Sequence, residues 1–564
     1  MRARLLLPLL FVGLGLSAPA QAQAQDSMSE AKARLQALDQ ALQESDLELA
    51  KRELKALRES VNQKVDTLDY FEGRIAFEEG RYSESVRLLK EAGLEDKSGS
   101  YLRLAKETEA VTRGYARSES AHFVFFYPPG KDVVMVPYAL ETLEHIRSAL
   151  ERDLGYAPPG KVRVEVVNNA SELAKVSTLT LEQINTTGTI AICKFNKLMV
   201  TSPHAVLSGY DWQDTLAHEY THLVVTQKGH NSVPIWLQEG LAKYLESSWR
   251  GPPGQALSPS QRALLAERVR TNRLVPFAKM HPSMAMLPTW QDASVAFAEV
   301  FYAADYVYKE KGPSGLRAIV DGMGQGLSDQ KAVEHALGKP FSQFEKAWID
   351  HIRAQPVPKG AIPPSDDKVV LKAEGGDGKD EAKKDKGREI SFQDFVEVEE
   401  PQPRRFAHLG ELMRERQRMT AAADEFGRAH ALVGDKYESI SNKYALALLS
   451  LRRVEEAEQV LLGSLKLHPG SAQSQVHLGR IYLARHDYSK AKAAYLNALA
   501  VDPFDPEIHL AFVRVADALK DTALLDRATK ASVVLTGLTP AQVLAASKRL
   551  APDSKGDLSE AKVP

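Results

Sequence analysis

The sequence predicts a mixed α+β domain that lies between two all-helical repeat regions. Residues 27–118 are rich in Ala, Leu, Glu, Lys and Arg, with apolar residues at helical spacing. Residues 121–353 begin with strand-like segments and continue with helices, an order typical of α+β domains. A period of about 34 residues then runs through residues 405–535. The chain of 564 residues also exceeds the roughly 250–300 residues at which one hydrophobic core stops growing.

The N-terminus has the features of a secretory signal. Arg2 and Arg4 precede an apolar stretch over residues 5–16, and small residues follow up to Ala24. A membrane anchor, the alternative, needs about 20 apolar residues, which is more than this run supplies. We therefore expect residues 1–24 to be a signal peptide and the mature protein to be periplasmic or secreted, with no integral membrane segment after cleavage.

Charge and cysteine content narrow the possible classes further. Lys+Arg 72 against Asp+Glu 74 gives a net charge of −2, so we expect no nucleic-acid partner. Cys193 is the only cysteine, which excludes an intramolecular disulfide. A lone cysteine in an apolar stretch is usually a small buried hydrophobe.

Residues recur at fixed spacing in the helical regions. The clearest unit and the two before it carry small and large apolar residues in register: Leu478, Gly479, Tyr482, Ala491, Tyr495, Ala498 and Pro503; Ala445, Ala457, Leu461, Ser464 and Pro469; Gly410, Ala422, Phe426 and Ala429. A degenerate fourth unit covers about residues 506–535, and the N-terminal region has one unit around Gly73, Tyr82 and Leu89. These patterns resemble tetratricopeptide repeats. The resemblance implies that the repeats bind protein partners or substrates.

Two segments lack repeat character. Between residues 354 and 404 periodicity disappears, and residues 375–386 form a mixed-charge, low-complexity run. We expect a disordered charged linker there, with an interaction tail as the alternative. A C-terminal helix and tail are expected over residues 536–564.

The strands of the central domain are predicted from short apolar runs. An aromatic run over residues 121–127 ends at Pro128, and residues 162–167 alternate as a strand. Residues 188–194 and 197–202 are predicted to form two strands joined by a turn at Asn196. Helices are predicted from about Trp212 to Arg353.

His218, Glu219 and His222 form an H-E-x-x-H motif in an apolar helical setting. At about 100° per residue, the two histidines share one helix face and can meet a single ion. Glu219 lies one step round, where it can act on a water without being a ligand. The pentapeptide also arises by chance, and a helix with two ordinary histidines is the alternative.

Glu239 lies in a second predicted helix, which Pro234 can start. It is a carboxylate in an otherwise apolar patch, and burying an unpaired carboxylate is costly. The short turn after Gly229 can bring the second helix back along the first. We therefore expect Glu239 to face the two histidines.

Together with the segment Trp236-Leu237-x-Glu239-Gly240-Leu241-Ala242-x-Tyr244, this motif resembles the gluzincin peptidases, specifically the peptidase MA-like family, over residues 122–353. The resemblance implies a zincin-like metallopeptidase domain in which His218, His222 and Glu239 bind Zn²⁺ and Glu219 is the catalytic base. It also implies a protein or peptide substrate. One departure concerns Lys243: thermolysin-type members have an acidic residue at this position, which orients a histidine.

The oxyanion partner that peptide hydrolysis needs is not identified by sequence. Tyr302, which lies in a helix similar to one in the family, is a candidate, and Tyr210, Tyr244 and His230 are rivals. Each alone is more often a packing or surface residue.

Other polar residues near the motif have ordinary explanations. Asp211 and Asp214 are predicted to be helix caps rather than acid–base groups. His204 and His230 could join the site, although loop histidines are usually solvated. By resemblance, one strand of the pair over residues 188–202 is expected to bind a substrate chain along its edge.

Two functional hypotheses follow. The first is an exported zinc metalloendopeptidase whose repeats bring partners or substrates to the active site. The second is an interaction scaffold in which the repeats act and the zinc domain is structural or catalytically idle. A cleavage assay on wild type and on Glu219→Gln distinguishes them.

Overall fold

A computed structural model describes residues 18–61, 64–93, 101–206, 209–255, 257–280, 284, 287–361 and 395–550. The apolar stretch of the predicted signal peptide, the central part of the predicted linker and the end of the predicted tail lie outside these ranges. Within them, no helix combines the length and the apolar character needed to cross a membrane. The chain divides into two units, residues 1–103 and 104–564.

The N-terminal unit consists of paired helices: α1 (Ala18–Gln43), α2 (Leu47–Ser60), α3 (Asp66–Glu78), α4 (Tyr82–Ala92) and the start of α5 (Tyr101–Thr112). Helices α3 and α4 cross closely at Gly73, where a Cβ atom would lie 2.7 Å from Leu89 Cγ. The Ser85 hydroxyl donates to the Gly73 carbonyl over 2.7 Å at the same crossing. The small residues predicted at this position thus occupy a helix crossing.

The second unit contains one mixed sheet of five strands: β1 (Ala116–Glu119), β2 (Phe123–Tyr127), β3 (Val162–Val167), β4 (Ala191–Lys194) and β5 (Lys197–Thr201). The strand order is β1-β2-β3-β5-β4. The β2–β3 and β3–β5 pairs are parallel, whereas the β1–β2 and β4–β5 pairs are antiparallel. Four strands lie within the predicted segments.

Strand β1 corrects the sequence prediction, which extended the N-terminal helical region to Ser118. Helix α5 ends at Thr112, and β1 follows at the sheet edge. Its side chains alternate between half-buried and exposed, and two of its four residues are charged. The strand therefore has no apolar run that could reveal it.

Helices connect and follow these strands. They are α6 (Val136–Leu154), α7 (Ala170–Val176), α8 (Leu181–Thr187), α9 (Trp212–Lys228), α10 (Ile235–Leu245), α11 (Pro259–Arg270), α12 (Trp290–Lys311), α13 (Pro313–Gly324), α14 (Asp329–Leu337) and α15 (Phe341–Arg353). The strands-first, helices-later order predicted for an α+β domain is present. Tyr220 of α9 packs edge-on against Phe123 of β2 at 5.1 Å between ring centroids, which joins helix to sheet.

Nine helices follow in the described C-terminal part: α16 (Pro401–Glu415), α17 (Met419–Val433), α18 (Glu438–Ser450), α19 (Val454–Leu467), α20 (Ala472–Ala484), α21 (Tyr488–Leu499), α22 (Pro506–Leu519), α23 (Thr522–Thr536) and α24 (Pro540–Ser547). A Cβ atom on Gly410 would lie 2.9 Å from the Phe426 ring, and one on Gly479 would lie 2.7 Å from the Tyr495 ring. The two glycines mark equivalent crossings in the predicted repeats. Their identification as tetratricopeptide repeats stays a prediction.

The predicted linker extends too far towards the C-terminus. Helix α16 begins at Pro401, before the predicted boundary at Arg404. Phe395 and Val398 are buried in the core of the first repeat. Residues 395–404 therefore carry the apolar anchors that a disordered segment lacks.

One hydrophobic core spans the strand-and-helix domain and the C-terminal repeats. Val200 and Trp212 from the former belong to the same buried cluster as Tyr495, Leu499 and Phe512 from the latter. The two predicted domains thus pack against each other within residues 104–564.

Candidate metal centre

Helix α9 carries the H-E-x-x-H motif and is held in the core. Leu216, Ala217 and Tyr220 are fully buried, whereas His218 and His222 each keep about one sixth of their side chains exposed. The helix runs to Lys228 and is capped at Gly229, as predicted.

Helix α10 returns after a short turn and presents Glu239. Pro234 occupies its N-cap position, so the predicted start is confirmed. Trp236 stacks on Phe277 at 4.3 Å and donates its indole N–H to Asp329 over 3.0 Å, which fixes the first turn.

His218, His222 and Glu239 converge on one point. The two Nε2 atoms lie 3.1 Å apart. Glu239 Oε2 lies 3.4 Å from His218 Nε2 and 3.5 Å from His222 Nε2. Among the residues that the structure describes, this is the one group of three or more His, Cys, Asp or Glu side chains arranged to hold a metal ion.

These separations fit zinc. Tetrahedral ligands at about 2.0–2.1 Å from the ion lie about 3.3 Å from one another, which is close to all three observed distances. Two imidazoles and one carboxylate also form a donor set that catalytic zinc sites use. The three residues predicted as ligands are therefore close enough to one another to hold a metal ion of this size.

The pKa values of His218 and Glu239 are shifted by the charges that surround them. Burial lowers the pKa of His218, but hydrogen bonds to Glu239 and Glu246 outweigh it and raise the pKa to about 10. Burial raises the pKa of Glu239, but His222 and His218 outweigh it and hold that pKa well below its usual range. The pocket thus favours positive charge beside Glu239.

Glu246 is the functional residue that the sequence analysis missed. Its Oε2 accepts the Nδ1–H of His218 at 2.9 Å, and its Oε1 accepts a bond from Lys243 at 2.6 Å. The basic residue at position 243 is therefore compatible with an oriented histidine. Lys243 holds the Glu246 carboxylate, and this carboxylate orients the His218 ring. Glu246 lies seven residues after Glu239, two helical turns along the same face, and this spacing relates it to the site without identifying His218 as its partner.

Glu219 is 7% exposed and lies beside the cluster. Burial raises its pKa, and the neighbouring His222 and His218 partly offset this rise. The main-chain N–H of Cys193 faces this carboxylate and also lowers its pKa. Glu219 thus lies near the edge strand β4 and beside the cluster of His218, His222 and Glu239, to which it does not itself belong.

Strand β4 leaves one main-chain edge unpaired by strands of the described sheet. Thr201 N donates to Ile190 O. In an antiparallel strand the main-chain groups of successive residues point to alternate sides, so those of Ile190 and Ile192 face β5. The main-chain groups of Ala191 and Cys193 therefore face the opposite edge, where Glu219 lies. Phe195 and Asn196 both have φ 55°, which fits a two-residue hairpin turn at the predicted place.

The oxyanion candidates have partners elsewhere. The Tyr210 hydroxyl donates to the Thr201 carbonyl, and Tyr244 packs against Phe301 and Tyr308. Tyr302 packs against Phe301 and His351, and His230 lies in the turn after α9 with φ 50°. These contacts single out none of the four as the donor.

The capping prediction for Asp211 and Asp214 holds for their positions at the start of α9 but not for a side-chain hydrogen bond. Asp211 occupies the N-cap position without a side-chain cap bond. Asp214 accepts the Trp249 indole N–H at 2.8 Å and pairs with Arg250. His204, a second histidine considered for the site, lies 2.7 Å from the Ser202 hydroxyl through its Nδ1.

Solved structures similar to this chain share little of its sequence. The chain is similar to yeast LTA4 hydrolase in complex with bestatin, at 12% identity and a TM-score of 0.28, over 75% of this chain and 67% of that chain. It is similar to the APC/C hetero-tetramer Cut9-Hcn1 at 9% identity and a TM-score of 0.25, over 93% and 82%. No curated protein sequence matches. Residues 145–354, which contain α9 and α10, match the family model of the Peptidase MA superfamily.

Proposed function

We propose that this protein is a zinc-dependent metallopeptidase that hydrolyses peptide bonds in protein or peptide substrates. The observation that carries the proposal is the arrangement of His218, His222 and Glu239, whose ligand atoms lie 3.1–3.5 Å apart. Glu219 adds a buried carboxylate beside them that is not itself a ligand. The match of residues 145–354 to the Peptidase MA superfamily supports the same reaction class.

The chemistry divides between the ion and the chain. A zinc ion at this site would polarise a peptide carbonyl and lower the pKa of a water molecule to about 7. Glu219 accepts the proton of the attacking water and delivers it to the leaving amine. The Cys193 N–H holds the Glu219 carboxylate in place for both transfers, and Glu246 fixes the ring of His218.

Substrate binding is proposed along β4. The outward main-chain N–H and C=O of Ala191 can pair with an extended peptide, as in strand addition to a sheet edge. Because Cys193 of the same strand contacts Glu219, a peptide bound there runs past the base.

Export and partner binding extend the proposal from the sequence. We propose that residues 1–24 are removed during export to the periplasm or the medium, and that the helical repeats bind protein partners or substrates. N-terminal sequencing of the exported protein should find a first residue between Gln21 and Asp26. An intact Met1 in that fraction contradicts export.

Three variants of the full chain test the reaction. Glu219→Gln keeps size and polarity but cannot take a proton, so we expect wild-type zinc content and peptide cleavage lowered by at least about 100-fold. His222→Ala removes a ligand and should lose both zinc and cleavage. His335→Ala, a substitution of an exposed histidine on α14, is the matched control and should behave as wild type. Metal content by mass spectrometry and cleavage of a mixed peptide library are the measurements.

Two results contradict the proposal. Wild type that cleaves nothing, with Glu219→Gln indistinguishable from it, supports the scaffold hypothesis instead. A His222→Ala variant that holds zinc as tightly as wild type shows that the ligand assignment is wrong.

A further inference from the structure

The C-terminal repeats reach the start of the helix that carries the metal ligands. The turn between α21 and α22, residues 499–505, accepts three hydrogen bonds from the segment that leads into α9. Tyr210 N donates to Val501 O over 3.3 Å, and Trp212 N donates to Ala500 O over 3.2 Å. The Trp212 indole N–H donates to Leu499 O over 2.9 Å. The first turn of a helix has N–H groups without acceptors inside the helix, and here the repeats supply acceptors.

This contact is close and buried. Trp212 has no exposed surface. Gly209 adopts φ 68°, and a Cβ atom there would overlap the Val501 carbonyl oxygen. Nearby, the His204 ring packs edge-on against Phe504 at 5.6 Å between centroids. The loop before α9 is therefore shaped to fit this turn.

A second contact supports the same docking. Arg527 of α23 lies over the Tyr138 ring at 4.7 Å and pairs with Glu141 of α6 at 2.9 Å. Helix α6 packs against the sheet in the shared core, so the repeats contact the domain at two separate places.

The position of α9 matters because the metal ligands come from two helices. His218 and His222 lie about 9 Å and about 15 Å along the helix from Trp212, so a tilt of about 5° there moves them by about 0.8 Å and about 1.3 Å. Metal sites tolerate displacements of only about 0.5 Å. Glu239 would follow only in part, because its helix also packs against α12, with Gly240 against the Val300 carbonyl.

We propose that the turn of residues 499–505 positions α9 for metal binding, and that Trp212 is the positioning residue through which it acts. This inference rests on the proposed metal site and goes beyond it. It makes the C-terminal repeats part of the machinery that sets metal affinity, in addition to any partner that they bind.

Zinc affinity of the full chain, measured by competition with a chelator, tests the proposal. Trp212→Phe keeps the ring bulk but removes the N–H to Leu499 O, and we expect its affinity to fall by roughly tenfold, as for other groups that orient ligands indirectly. Tyr437→Phe is the matched control, because Tyr437 is also buried and donates its hydroxyl to the Glu400 carboxylate over 2.7 Å, in a separate hydrophobic cluster of the repeats. Both variants should melt at a lower temperature, but only Trp212→Phe should bind zinc more weakly. Gly209→Ala approaches the same contact from the loop and should weaken zinc binding in the same way.

The outcomes separate this inference from the proposed function. Wild type without zinc affinity refutes the metal site itself. If wild type binds zinc, and folded Trp212→Phe and Gly209→Ala bind it equally tightly, the positioning role is overturned. If neither variant folds, hydrogen exchange of wild type decides. Zinc should slow exchange of the Tyr210 and Trp212 amides, and unchanged rates overturn the proposal.

Discussion

Replacing Glu246 by glutamine tests how the ligand His218 is held. Glu246 is 5% exposed and bridges His218 Nδ1 at 2.9 Å and Lys243 Nζ at 2.6 Å. Glutamine keeps the volume but loses the charge, and a hydrogen bond to a charged group contributes about 1.5–3 kcal/mol. We therefore expect zinc affinity to fall by roughly 10- to 100-fold, the range found for partners of metal-bound histidines.

Lys243→Met completes a double-variant cycle. This variant leaves the Glu246 carboxylate in place, so His218 keeps its acceptor and zinc affinity should fall less than in Glu246→Gln. Breaking a fully buried pair at one side costs roughly 3–5 kcal/mol of stability. Lys243 keeps 21% of its side chain exposed, so we expect a smaller loss here, and removing both charges should recover part of it. Zinc affinity comes from chelator competition and stability from thermal unfolding of the metal-free protein. If Glu246→Gln binds zinc as tightly as wild type, Glu246 does not orient His218.

Three further predictions concern the edge strand, a buried acid and the linker. Ala191→Pro removes an N–H that faces away from β5, so we expect weaker substrate turnover at unchanged zinc content. Ile192→Pro removes an N–H that faces β5 and should destabilise the sheet. Unchanged turnover in folded Ala191→Pro excludes β4 from substrate binding. Burial raises the pKa of Glu299 to about 8, so the folded protein should lose stability as the pH rises from about 4.5 to 8, where only the unfolded chain ionises this group. Glu299→Gln should remove that loss, with a gain at pH 8 of at most about 5 kcal/mol by thermal unfolding, and equal pH profiles for both proteins contradict it. A protease cut within residues 362–394 should leave two fragments that co-elute in size exclusion, because they share a core, and separate elution refutes the docking.

The cluster of His218, His222 and Glu239 could be predicted because local geometry brings the three residues together. His218 and His222 share a face by helical spacing alone, and a short turn leaves little choice for Glu239. Glu246 was missed because the family pattern directed attention to position 243, where an acid was expected. The helical period relates position 246 to Glu239, but it does not show which acid meets His218.

Docking of the repeats could not be predicted from local pattern. Trp212 and Leu499 are 287 positions apart, and their bond joins a side chain to a main-chain carbonyl, which leaves no residue type to recognise. Both regions look complete on their own, each with its own periodicity. The edge strand β1 escaped for a related reason, because main-chain pairing with β2 places it in the sheet.

The Lys243–Glu246 pair has a consequence for which ions the pocket accepts. The pair carries no net charge, so Glu239, and Glu219 when it is ionised, are the carboxylates left beside the two histidines to meet a bound cation. A divalent cation neutralises both, whereas one proton neutralises only one. Surroundings of low polarity penalise any charge that is not neutralised. Protons and a divalent metal ion therefore compete to neutralise the same carboxylates, and a monovalent ion with the same ligands leaves one negative charge over. We therefore expect the pocket to bind a divalent ion more tightly than a monovalent ion with the same ligands.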